Sequence, residues 1–121
     1  MHEGPVSLSR TGRPVPLAAG MILSNEPGFY EPGAFGIRLE NLVLVREQTL
    51  PGALKPFLGF ETLSWAPFDR RLIDIAMLTA AEIAWLDGYH AAVFAQIGGS
   101  LEPDARAWLE RCCAPLDVKT N

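Results

Sequence analysis

The amino-acid sequence predicts an α+β fold, with short strands first and helices afterwards. Three observations lead there. Breakers crowd the first twenty residues, where Gly4, Pro5, Gly12, Pro14, Pro16 and Gly20 exclude a helix. Apolar side chains recur with the two-residue period of a strand between Ile37 and Val45. A capping box, Thr79-Ala80-Ala81-Glu82, then opens a stretch of helical spacing.

The opening zone holds turns and extended pieces. Nothing in it nucleates a core, so it reads as a segment from the middle of a larger fold. Met21-Ile22-Leu23-Ser24 is a short apolar strand that ends at Asn25-Glu26-Pro27-Gly28, a turn by composition. Gly33 and Gly36 suit a tight turn before the strand at 37–45. Period-two geometry divides that strand into a face of Ile37, Leu39, Asn41, Val43 and Val45 and a face of Arg38, Glu40, Leu42 and Leu44. A Pro/Gly-rich loop at 51–56 leads to a strand over 57–65, closed by Pro67. The first helix carries Ile83, Leu86, Val93 and Ile97 and stops at Gly98-Gly99. The second starts near Pro103, with Ala105, Trp108, Leu109 and Cys112 on one side.

At 121 residues the chain has room for one core. Its apolar fraction of 49% and charged fraction of 20% fit a globular protein and exclude a disordered one. The net charge of −4, with scattered basic residues, gives no footprint for nucleic acid. No apolar run approaches the ~20 residues that span a bilayer, so no membrane partner is expected. Met1-His2-Glu3-Gly4-Pro5 lacks the pattern of a signal peptide. Cys112 and Cys113 are adjacent and would bridge only through a strained ring, so they are expected as free thiols in a reducing, cytoplasmic setting.

Candidate chemistry centres on a few charged residues. Arg38 and Glu40 share a strand face, roughly 7 Å apart along the rise. The face continues into Leu42 and Leu44 and is expected to be buried, where charges need partners or a metal. The alternative is an Arg–Glu pair on a solvated edge. Glu26, in its turn, reads either as a surface residue or as a ligand. His2, near the terminus, reads either as solvated or as functional.

His2-Glu3-Gly4-Pro5, Asn25-Glu26-Pro27-Gly28-Phe29-Tyr30 and Gly36-Ile37-Arg38-Leu39-Glu40-Asn41 form an ordered set of three motifs. Read together, they resemble the Xaa-Pro aminopeptidase (aminopeptidase P) family of pita-bread-fold metallopeptidases. Phe60-Glu61-Thr62-Leu63, the run from Pro67 to Asp74 and the tail from Leu78 to Leu86 resemble the succeeding segments of the larger aminopeptidases P. The resemblance covers nearly the whole chain, in order. It implies the C-terminal part of the pita-bread catalytic domain over 1–74 and a helical extension over 75–121.

The family's reaction, cleavage of the bond between a first residue and a following proline, uses two divalent cations, usually manganese. By resemblance, Glu26 binds one metal and carries a proton. Glu40 bridges both metals, which hard carboxylate oxygens suit. His2 contacts the substrate carbonyl, Arg38 supports the carboxylate cluster by charge pairing, and Tyr30 lines the substrate site. Two aspartates and a histidine of the family's ligand set have no counterpart here, since neither His2 nor His90 has the Gly-His-Gly context. The chain alone is therefore expected to be inactive and to hold metal weakly or not at all. The rival readings are a non-catalytic assembly module and a prolidase-like dipeptidase of the same fold. In the family the C-terminal segment contributes to dimer contacts, so Trp85, Tyr89, Trp108 and Leu109 form a candidate homodimer surface, unless they pack on their own chain.

Overall fold

The computed structural model describes residues 15–116. They cluster into two compact units, one ending at Ser64 and one beginning at Trp65. Residues 65–74, grouped with the strands in the sequence-based division, cluster with the helices.

Five strands build the first unit: β1 (Ile22–Asn25), β2 (Gly28–Glu31), β3 (Phe35–Arg38), β4 (Asn41–Gln48) and β5 (Phe57–Thr62). They form a three-stranded sheet in the order β1-β4-β5 and a two-stranded β2-β3 hairpin, all antiparallel. The stretch expected as one strand over 37–45 is two strands, interrupted at Leu39-Glu40. Pro27 supplies the reason. Asn25 pairs with Asn41, and Gly28 with Arg38, in a single register, so Pro27 stands opposite Leu39. Leu39 N–H donates to the Pro27 carbonyl at 3.1 Å, but Pro27 has no N–H to return. The ladder opens there and closes again.

At the far end of the hairpin, Ala34 N–H donates to the Glu31 carbonyl at 3.0 Å. Pro32 and Gly33 fill the centre of that turn. Gly33 has φ of 76°, the positive value that the third position of a type II turn requires.

The core of this unit is Leu23, Val43 and Val45, with Leu17 and Met21 packed against it. The buried face of β4 is thus the Val43/Val45 face, and the expectation that Leu42 and Leu44 mark the inner one is corrected. Across the ladder Leu23 stands opposite Val43, giving that face an apolar partner, whereas Ser24 stands opposite Leu42. Beyond Thr62 pairing continues, for Leu63 N–H donates to the Leu42 carbonyl at 2.8 Å and Leu42 N–H donates to Ser64 Oγ at 2.8 Å.

The second unit opens with two 3₁₀ turns, Arg70–Leu72 and Ile75–Met77. Asp69 and Asp74 cap them by accepting the backbone N–H two residues on. Arg71 also grips Asp69 and holds its carboxyl at about 2. Helix α1 (Ala80–Ile97) starts at the expected capping box. Thr79 Oγ1 accepts Glu82 N–H at 3.3 Å, and Glu82 accepts Thr79 N–H at 2.8 Å. Helix α2 (Pro103–Cys112) begins with proline in its first turn.

Tyr89, Val93, Leu109 and Cys113 form the core here, flanked by Trp65, Phe68, Phe94, Ile97 and Leu101. Polar bonds tie the irregular segments to α1. Tyr89 O–H donates to the Ala66 carbonyl at 2.7 Å, and Phe68 N–H donates to His90 Nε2 at 3.1 Å. Leu116 N–H donates to Asp87 Oδ1 at 2.8 Å, while Arg70 donates to the carbonyls of Arg111 and Pro115. Tyr89 and Leu109 therefore belong to the interior, not to an exposed surface. Trp108, expected beside Leu109, is turned out by the 100° step between helical neighbours and is 54% exposed.

Candidate active-site carboxylate pair

The register that runs through both ladders sets Glu26 directly opposite Glu40. Hydrogen-bonded and non-hydrogen-bonded pairs alternate along an antiparallel ribbon. Pro27 and Leu39 form a bonded pair, so Glu26 and Glu40 form the other kind, in which opposed side chains stand closest. Two like charges so placed repel.

Arg38 answers that repulsion. Two residues from Glu40 and opposite Gly28, it lies on the same face. Its Nη1 donates to Glu26 Oε2 at 2.6 Å, and its Nε lies 3.7 Å from Glu40 Oε2. The hydrogen bond to Glu26, then the nearby Tyr30 and both carboxylates, raise the Arg38 pKa above its already high ordinary value. One guanidinium gathers both acids.

Tyr30 completes the face. Its ring folds back along the ribbon over Gly28 and Gly36. A Cβ at those positions would fall 2.8 Å from the phenol oxygen and 2.7 Å from Cδ1. Gly36 thus serves as a shelf for this ring and lies within β3, not in the turn to which its sequence context pointed. Both glycines are there because a ring needs the space. Phe29, Phe35, Ile37 and Leu39 project to the opposite face, with the two phenyl rings 5.9 Å apart.

The setting is more open than the sequence suggested. Side chains of Arg38 and Glu40 are 44% and 47% exposed, and that of Glu26 is 23% exposed. Arg38 and Glu40 are thus solvated in this chain, not buried. The burial expected from Leu42 and Leu44 fails because the apolar partners lie on the other side of β4.

One participant was missed. Ser24 Oγ donates to Glu26 Oε1 at 2.7 Å, so each carboxylate oxygen of Glu26 holds a donor. Ser24 lies two residues before Glu26 on an alternating strand, and that spacing was the signal that could have found it. His2 lies outside the described residues. His90 takes no part, because its ring is buried in the second unit with Nε2 accepting from Phe68.

Paired carboxylates suit a divalent cation in kind and in placement. In number they fall short, since no group of three or more His, Cys, Asp or Glu that could hold a metal occurs among the described residues. Nor is any of the described helices long and apolar enough to cross a membrane.

Known proteins resolve the family. The model of metallopeptidase family M24 matches residues 1–47, and that of the C-terminal region of peptidase M24 matches residues 56–116. The chain belongs to the M24 metallopeptidase family. Among its M24 relatives, the probable Xaa-Pro aminopeptidase P of Laccaria bicolor is 44% identical, over 96% of this chain and 19% of that protein. Aminopeptidase P2 of Arabidopsis thaliana is 43% identical, over 96% of this chain and 17% of that protein. The chain therefore spans about a fifth of the length of these relatives.

A solved structure carries the same fold. The X-prolyl aminopeptidase of Caenorhabditis elegans, described as a cytosolic enzyme with a di-nuclear active site, superposes with a TM-score of 0.85 at 34% identity. The match covers 95% of this chain and 19% of that one. The strands followed by helices are the C-terminal portion of the pita-bread aminopeptidase P fold.

Proposed function

We propose that this chain is the C-terminal part of a dinuclear metal-dependent aminopeptidase that hydrolyses the bond before a proline in second position, and that it is inactive alone. The observation that supports this reading is the opposition of Glu26 and Glu40 about Arg38. The family and the di-nuclear site of the C. elegans relative supply its context.

In this reading Glu26 would hold one divalent cation and Glu40 would be the ligand shared between two, with manganese the native ion. The bound cations supply an activated water for attack on the scissile carbonyl. Arg38 pairs with both acids and holds them on one face. Glu26 would take a proton from the attacking water and pass it to the leaving proline nitrogen. His2 stabilises the oxyanion and Tyr30 borders the substrate, a peptide with proline second. Residues 1–74 carry this chemistry, and 75–121 form an extension. The enzyme works in the cytoplasm. Catalysis needs ligands beyond these two, because each cation of such a site takes around three protein donors.

The test is turnover of an Xaa-Pro peptide with Mn²⁺ present. The chain alone should release no N-terminal residue. A chimera in which it replaces the aligned segment of the C. elegans enzyme should release it. Substantial turnover by the chain alone refutes the need for further ligands, and an inert, well-folded chimera refutes the assignment.

A homodimer through the extension is a second reading, favoured by Trp85 and Trp108, which remain 61% and 54% exposed. Light scattering that gives a monomer at micromolar concentration removes it.

A further inference from the structure

We propose that Ser24 is a positioning residue that fixes the Glu26 carboxylate for metal binding. The proposal rests on the assignment of Glu26 as a metal ligand and adds to it the group that aims the ligand.

The ladder is interrupted around Glu26, between β1 and β2. Pro27 cannot return the hydrogen bond that Leu39 gives it, and β1 ends at Asn25. A glutamate at such a break has three side-chain torsions and little backbone restraint, so its carboxylate needs an external anchor. Arg38 is a poor anchor by itself, because it is a long side chain that is 44% exposed and shared with Glu40.

Ser24 is the opposite. It lies inside β1, paired with Leu42, and follows Leu23, one of the three core residues of the sheet. Its oxygen is placed by a single side-chain torsion on a fixed backbone and reaches Glu26 Oε1 at 2.7 Å. Together, Ser24 on Oε1 and Arg38 on Oε2 set the carboxylate plane. A carboxylate offers about four lone-pair positions, so it can accept such bonds and still ligate a cation. Outer partners of this kind set the orientation of metal ligands, and their loss costs roughly 10–100-fold in metal affinity or activity.

The experiment compares wild type, Ser24→Ala and Ser24→Thr in the C. elegans chimera, by calorimetric titration with Mn²⁺ and by kinetics on an Xaa-Pro peptide. Alanine should weaken Mn²⁺ affinity about tenfold and lower kcat at unchanged KM, with the thermal midpoint held. Threonine keeps the hydroxyl and should restore both. Equal affinity in all three forms overturns the proposal, as does equal loss in alanine and threonine with a lowered midpoint, which marks a structural role.

The isolated chain gives a reading that needs no metal. Three-bond NMR couplings of Glu26 should report one rotamer in wild type and Ser24→Thr, and averaging in Ser24→Ala. Couplings unchanged in Ser24→Ala overturn the proposal even if the chimera is inert. An inert wild-type chimera with the expected couplings sinks the metallopeptidase reading and leaves the positioning of Glu26 standing.

Discussion

Acid should loosen the helical unit through one residue, His90. The imidazole is fully buried, and its Nε2 accepts the Phe68 N–H at 3.1 Å, so the ring is neutral with its proton on Nδ1. Burial first, and then the Arg70 cation, lower its pKa below the ordinary value near 6.5, while Asp87 pulls weakly the other way. Protonation would set an N–H against the Phe68 N–H, two donors facing each other.

The unfolded chain therefore binds this proton more readily than the folded one. Stability rises with pH across that window and is lost as pH falls below about 6.5. One proton of difference contributes at most about 1.4 kcal/mol per pH unit. Between pH 6.5 and 5 the loss is thus bounded at about 2 kcal/mol. The carboxylates with lowered values, Asp69 and Glu82, act at lower pH and do not confuse the window.

Urea unfolding at several pH values, followed by fluorescence of Trp65, Trp85 and Trp108, measures the slope, since all three lie in this unit. His90→Gln keeps an acceptor for the Phe68 N–H and removes the titration. It should flatten the curve between pH 6.5 and 5. An equal slope in both proteins would refute the assignment to His90.

Packing and caps set the other expectations. Leu109→Ala empties a core position that is 1% exposed, so it should cost about 3 kcal/mol, within the usual 2–5, in the same urea assay. A loss under ~1 kcal/mol would mean that the two helices do not depend on this contact. Gly36→Ala should push the Tyr30 ring off the ribbon with little change in midpoint, because that ring is 61% exposed and free to swing. Persistence of nuclear Overhauser contacts from the Tyr30 ring to Gly28 would contradict the shelf. Thr79→Ala removes both side-chain bonds of its hydroxyl and should cost about 1 kcal/mol with fraying of the first turn of α1. Unchanged amide exchange at residues 80–83 would count against the cap.

What could be read from residues alone was local. The Thr79–Glu82 cap, proline in the first turn of α2 and the strand at 22–25 are written in short spacings whose physics is complete within a few residues. The facing of β4 was misread because alternation defines two faces but not which one meets Leu23 across the ladder. Trp108 was misplaced for a related reason, as helical spacing groups neighbours without saying where the stripe's edge falls. The break at Glu26–Pro27 was legible as a turn, yet it is a flaw in an otherwise continuous ribbon, visible only once the partner strand is known. Glu26 and Glu40 became candidates by motif. Their direct opposition, and the part taken by Ser24, needed the register.

That register has a ruler, and it lies away from the acids. The Pro32-Gly33 turn sets which residue of the outgoing arm meets which of the returning arm, all the way down to Leu23 and Val43. Change its length by one without a compensating bulge, and every rung slips by one. Glu26 then faces a neighbour of Glu40, and one of the two carboxylates points to the wrong side. A loop that touches neither glutamate thus holds the distance between them.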